Sequence, residues 1–146
     1  MPRFSDQQET FGLLLHTIRL GLIRRAEQFL ANKGFDFKFI QLRVLKQLSM
    51  HQSQSATELA RAVEHDGGAL TRVLDRLQES GYVVRRSSAL DRRVIELSLT
   101  DEGRALWNSI QPWILQLNAD ALSALDGREQ EQLFFLLHRV RARLEE

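Results

Sequence analysis

Arginines recur in spaced pairs around Gly81. Arg72 and Arg76 stand four residues apart, the spacing that puts two side chains on one side of a helix, and Arg85, Arg86, Arg92 and Arg93 follow in a β-patterned stretch. A guanidinium presents a planar fork of donors that grips guanine O6 and N7 together, or a phosphate, so arginines at helical spacing suit a nucleic-acid groove. Thr71 suits a thymine methyl or a phosphate, while Gly68 and Ala69 remove bulk where a backbone would approach a duplex. Asp75, between the two arginines, is expected to orient one of them. In Asp91-Arg92-Arg93 a carboxylate sits beside two guanidiniums. One arginine can enter a minor groove, where negative potential is strongest, while the aspartate holds the loop in shape. Ser55 and Thr57 offer hydroxyls and backbone N–H groups to a phosphate, although Ser55 serves equally well as a helix cap.

These residues need a scaffold, and the apolar spacing supplies one. Phe11, Leu14, Leu15, Ile18, Leu22, Ala26, Phe29 and Leu30 predict a long amphipathic helix over residues 6–32, closed by Lys33-Gly34. A second helix is expected over 37–50. Ser55 with Glu58 three residues later is a capping box for a third, whose inner face is Leu59, Ala60 and Val63. Residues 64–67 form a tight turn. A fourth helix over 68–80 buries Leu70, Val73, Leu74 and Leu77 and turns Gly68, Thr71, Arg72, Asp75, Arg76 and Glu79 outward. Two antiparallel strands, 82–86 and 94–99, follow with a projecting loop between them. Thr100 caps a fifth helix running to about residue 125, kinked at Pro112, and a sixth carries Leu133, Leu137, Val140 and Leu144. The expected fold is mainly α with a small β-hairpin wing. It is a winged helix-turn-helix over 35–104, flanked by helical dimerisation regions at 1–34 and 105–146. The terminal helices carry more apolar surface than one small module covers, so a homodimer is expected.

Composition narrows the function classes. The 146 residues suit one compact domain with helical extensions, and no apolar run reaches the roughly 20 residues of a membrane span. Net charge is only +1, but residues 68–93 hold six arginines against Asp75, Glu79 and Asp91, a local basic patch. Cysteine is absent, which excludes disulfides, thiolate metal sites and cysteine redox sensing. The polar N-terminus lacks a secretory pattern, so a cytoplasmic protein is expected. No phosphate-binding glycine loop, no Gly-x-Ser-x-Gly elbow and no evident carboxylate pair argue for an enzyme. His16, His51, His65 and His138 invite a metal reading, but Glu64-His65-Asp66 lacks ligand spacing, and no cofactor is expected. The rival to DNA binding is a winged helix used only for protein contact.

Taken together, Gly68-Ala69-Leu70-Thr71-Arg72, Leu74-Asp75-Arg76-Leu77, Gly81-Tyr82-Val83, Asp91-Arg92-Arg93 and Leu99-Thr100-Asp101-Glu102-Gly103 resemble the MarR family of multiple antibiotic resistance regulators. The resemblance covers nearly the full length. It implies a homodimer of winged-helix subunits that binds palindromic double-stranded operators, usually to repress. It also implies Arg93 as the minor-groove residue and Arg92 as a backbone contact. Many members release DNA when a small, often anionic aromatic compound binds between the dimerisation and DNA-binding parts. The candidate lining of such an effector site is His16, Arg19, Phe39, Arg43 and Trp113, with an arginine pairing a carboxylate.

Overall fold

A computed structural model of the chain describes residues 10–63 and 67–146. Its elements run α1 (Phe11–Asn32), α2 (Phe39–Ser49), β1 (Gln54–Ser55), α3 (Ala56–Val63), α4 (Gly67–Glu79), β2 (Val83–Ser87), β3 (Ile95–Leu99), α5 (Asp101–Leu122) and α6 (Gly127–Leu144). The mainly helical fold with a small wing follows the apolar periodicity. The differences lie at the ends. Thr10 is extended and its hydroxyl accepts from the Leu13 N–H, so α1 begins at Phe11. Residues 6–9 and the turn residues 64–66 lie outside the described residues. α2 starts at Phe39 rather than residue 37, because Lys38 is extended and its N–H donates to Gln41 Oε1 at 2.8 Å. Its first N–H, that of Phe39, donates to Glu27 Oε1 of α1 at 2.9 Å. A carboxylate on a neighbouring helix thus serves one of the N–H groups that every helix start leaves orphaned.

The sheet has three strands, not two. β1 pairs antiparallel with β3, Gln54 opposite Leu97 and Ser55 opposite Glu96, giving the order β1-β3-β2. Ser55 still makes the expected capping box: its hydroxyl accepts from the Glu58 N–H at 3.1 Å while its own N–H donates to Glu58 Oε2 at 3.2 Å. One residue therefore ends a strand and starts α3, which ties the helix-turn-helix to the base of the wing.

A single core holds the module together. Leu45, Leu48, Leu59, Leu70, Leu77, Leu97 and Ile110 are fully buried, so α2, α3, α4, β3 and α5 meet in one cluster. Ala26 and Leu30 of α1, with Leu106 and Trp107 of α5, belong to the same cluster, which therefore draws on residues outside 35–104. Pro112 lies inside α5 without ending it; the helix continues to Leu122. The opposite situation holds at α6. None of its residues is buried, and Phe134, Phe135, Leu136, Val140 and Leu144 are exposed, as are Phe11, Leu15 and Ile18 of α1. Among the described residues no helix is long and apolar enough to cross a membrane.

The junction below the wing is built from backbone. Gly81 adopts φ +82°, where only glycine sits without strain, and closes α4 with the Gly81 N–H on Gln78 O and the Tyr82 N–H on Leu77 O. Thr100 then binds this turn twice, its hydroxyl donating to Gly81 O at 2.5 Å and its N–H to Tyr82 O at 3.0 Å. The same hydroxyl accepts from the Gly103 N–H at 3.0 Å, capping α5. A Cβ at position 103 would lie 2.0 Å from Tyr82 O, so glycine is required by contact rather than by torsion.

Candidate nucleic-acid interface

The outer face of α4 carries the chemistry. Leu70, Leu74 and Leu77 are buried and Val73 partly so, which turns Arg72 and Arg76 to solvent. Neither arginine has an ion-pair partner among the described residues. Gly68 and Thr71 are exposed on the same helix, while Ala69 is half-buried. Thr57 is exposed on the first turn of α3. Ser55 is half-buried, and its hydroxyl oxygen is already engaged as a cap.

Asp75 does not orient Arg72 or Arg76. Its Oδ1 accepts from Arg85 Nη1 of β2 at 2.7 Å, and Gln78 Oε1 accepts from the same nitrogen at 2.7 Å. The carboxylate faces the wing rather than its own helix. Two acceptors one turn apart on α4 thus clasp one guanidinium of the neighbouring strand, and the charge of Arg85 is spent within the fold.

The wing is ordered by its own hydrogen bonds. β2 and β3 pair from Val83 opposite Leu99 to Ser87 opposite Ile95. Beyond them the Ser88 N–H donates to Val94 O at 2.8 Å and the Val94 N–H to Asp91 O at 3.0 Å. Asp91 Oδ1 accepts from the Arg93 N–H at 3.0 Å, so the aspartate is tied to the backbone of the loop it sits in. Ser88 is buried and its hydroxyl accepts from the Leu90 N–H at 3.2 Å. Arg92 and Arg93 are exposed and project without a carboxylate partner among the described residues. Leu90, at 99% exposure, marks the tip.

Of the candidate effector residues, His16 and Trp113 lie far apart within one chain. Trp113 packs edge-on to Phe29 at 5.7 Å between ring centroids and lies 6.5 Å from Phe35, with the Lys33 ammonium 5.4 Å above its ring. His16 and Arg19 are exposed on the N-terminal half of α1. His16 is about 20 Å along the helix axis from Phe29 at 1.5 Å per residue. Phe39 and Arg43 are half-buried on α2. Trp113 is thus a packing residue, and helix length separates it from His16. For metals, no group of three His, Asp or Glu among the described residues is placed to hold an ion, and the Glu64-His65-Asp66 triplet falls outside them.

Comparison with known proteins places this arrangement. The family model described as MarR family matches residues 35–94, which contain α2 to α4 and most of the wing. The HTH-type transcriptional repressor MdtR of Bacillus subtilis (strain 168) is 37% identical over 92 residues, 63% of this chain. The chain spans 59% of that relative's length. The reduced form of MarR from E. coli superposes with a TM-score of 0.81 at 29% identity, over 90% of this chain and 96% of that one. A mutant of the same protein, solved with operator DNA, gives 0.79 at 28% identity over 88% and 91%. BpsR of Bordetella bronchiseptica, from a study of how 6-hydroxynicotinic acid regulates its DNA binding, shares the fold with a TM-score of 0.80 at 22% identity, over 91% and 94%.

Proposed function

This chain belongs to the MarR family of winged-helix proteins, and from that premise we propose that it is a sequence-specific DNA-binding transcriptional regulator, a repressor acting from the cytoplasm as a homodimer on palindromic operators. The observation that carries the reading is the exposed pair Arg72 and Arg76, with no carboxylate partner among the described residues, beside an ordered wing that projects Arg92 and Arg93. In this reading α4 enters the major groove, with Arg72, Arg76, Thr71, Gly68 and Ala69 at the bases or their flanking phosphates. Arg93 enters the minor groove, Arg92 meets the backbone, Asp91 shapes the loop, and Ser55 and Thr57 face a phosphate. Regions 1–34 and 105–146 pair the subunits, supported by the unburied apolar side chains of α6 and the first half of α1. Two-fold pairing then sets the recognition helices about 34 Å apart, one turn of DNA.

Two kinds of measurement test this. Duplexes selected from a random pool by the protein should be palindromic, and binding should weaken linearly on a log scale as salt rises. An unenriched pool with no salt-dependent duplex binding would leave the winged helix as a protein-contact module. Relief of binding by a small aromatic acid belongs to the same proposal. Calorimetry with salicylate-like compounds should show tighter binding to free protein than to operator-bound protein, because linkage makes the two affinities reciprocal.

A further inference from the structure

The start of α2 has no cap of its own. Its N-cap residue is Lys38, whose ammonium carries three donors and no acceptor, so the side chain offers nothing to the orphaned N–H groups of the first turn. Serine, threonine, asparagine or aspartate is the usual choice at that position. Here the acceptor comes from another helix. Glu27 of α1, a half-buried residue, takes the Phe39 N–H on Oε1 at 2.9 Å. Thr17 and Gln28, by contrast, bond within α1, to Leu14 O and to Asn32.

Apolar contact alone does not fix the direction in which α1 leaves the module. Ala26 and Leu30 are buried in the shared core, but burial is non-directional. A hydrogen bond weakens steeply when its angle changes, so the Glu27 carboxylate selects which face of α1 meets the start of α2. α2 in turn buries Leu42, Val44, Leu45 and Leu48 in the core that also holds α3 and α4.

We infer that Glu27 is a positioning residue: it sets the angle between α1 and the DNA-binding module, and with it the half-site spacing that the protein accepts. The inference rests on the reading of the chain as a dimeric DNA-binding regulator. In a two-fold dimer a rotation of each module against its α1 is repeated in the partner, so a small change at Glu27 acts twice on the separation of the α4 helices. Each base pair between half-sites displaces them by about 3.4 Å along the duplex, so spacing is where the change is read.

Fluorescence anisotropy on the full-length protein tests it. The duplexes are the selected palindrome, the same palindrome with one base pair added or removed between its halves, and an isolated half-site. The ratio of affinities for native over altered spacing should fall by roughly fivefold or more in Glu27→Ala, the lower end of energetic coupling between sites, while half-site affinity stays at the wild-type value. Glu27→Gln keeps an acceptor for the Phe39 N–H and should keep the wild-type ratio. Adding Lys38→Thr to Glu27→Ala separates positioning from capping, because threonine caps α2 locally. That double variant should recover the thermal unfolding midpoint and not the spacing ratio. Recovery of both would make Glu27 a cap and nothing more, and would overturn the inference. An unchanged ratio in Glu27→Ala, or an equal loss on every duplex with the half-site included, would overturn it too and leave the DNA reading standing. Absence of any salt-dependent duplex binding by wild type would remove both.

Discussion

Asp75 on α4 and Arg85 on the first wing strand are joined by a 2.7 Å ion pair, so the second helix of the helix-turn-helix and the wing are tied directly to one another. Both side chains keep solvent contact, 27% for Arg85 and 50% for Asp75, and such pairs contribute only about 0–1 kcal/mol to stability. The larger effect is expected on geometry. Asp75→Ala should leave the unfolding midpoint nearly unchanged and weaken operator binding, because Arg85 then holds α4 through Gln78 alone. Arg85→Ala should do the same, and the double variant should be no worse than either single one. Additive losses in anisotropy would show that the two act separately.

Gly103→Ala should be among the most damaging single-methyl changes in the chain. The new Cβ would lie 2.0 Å from Tyr82 O, a backbone atom that cannot swing aside. Overpacking of this kind costs about 3 kcal/mol at its upper end. Urea denaturation checks it, and a variant within about 0.5 kcal/mol of wild type would contradict the contact.

Arg72→Ala and Arg76→Ala should each cost on the order of 1–3 kcal/mol of operator affinity where a base edge is read. Relaxed preference at one position per half-site should accompany the loss, visible in a repeated pool selection. Full affinity and selectivity in the double variant would exclude a role for this face.

At the wing, Arg93→Ala should weaken binding while leaving the fold and assembly intact, since the side chain is exposed and has no ion pair among the described residues. Asp91→Ala should do nearly as much by removing the 3.0 Å hydrogen bond that the carboxylate accepts from the Arg93 N–H. Titration of both against a minor-groove-substituted operator separates direct contact from loop disorder.

Assembly is tested at α6. Val140 lines an apolar groove with Leu136 and Leu144 on a helix none of whose residues is buried. Light scattering should give a dimer for wild type at micromolar concentration and a smaller mass for Val140→Asp. A folded wild-type monomer would contradict the pairing of terminal helices.

Local signals were readable and distant ones were not. The three- and four-residue apolar steps place every helix, and Ser55 with Glu58 marks the start of α3, because these depend on neighbours within one turn. The strand Gln54–Ser55 has no alternation to reveal it; it exists only because Leu97 and Glu96 lie alongside. Spacing alone pairs Asp75 with the arginines on its own helix, yet the partner it finds lies across the Gly81 turn, a relation no periodicity encodes. Phe39 owes its position at the start of α2 to Glu27, twelve residues away on another helix. The spacing between candidate effector residues is likewise set by distant packing. His16 and Trp113 are compatible in chemistry, but the length of α1 keeps them apart within a chain.

The touching backbones at Gly103 and Tyr82 have a mechanical consequence. They anchor one end of α5, whose 22 residues extend about 33 Å. A tilt of 10° about that anchor would move the far end by about 6 Å, about half the width of a helix. That end bears on the turn that closes α4 through the Thr100 hydroxyl and the Thr100 N–H, so a displacement at the outer end of α5 would reach α4 as a small rotation.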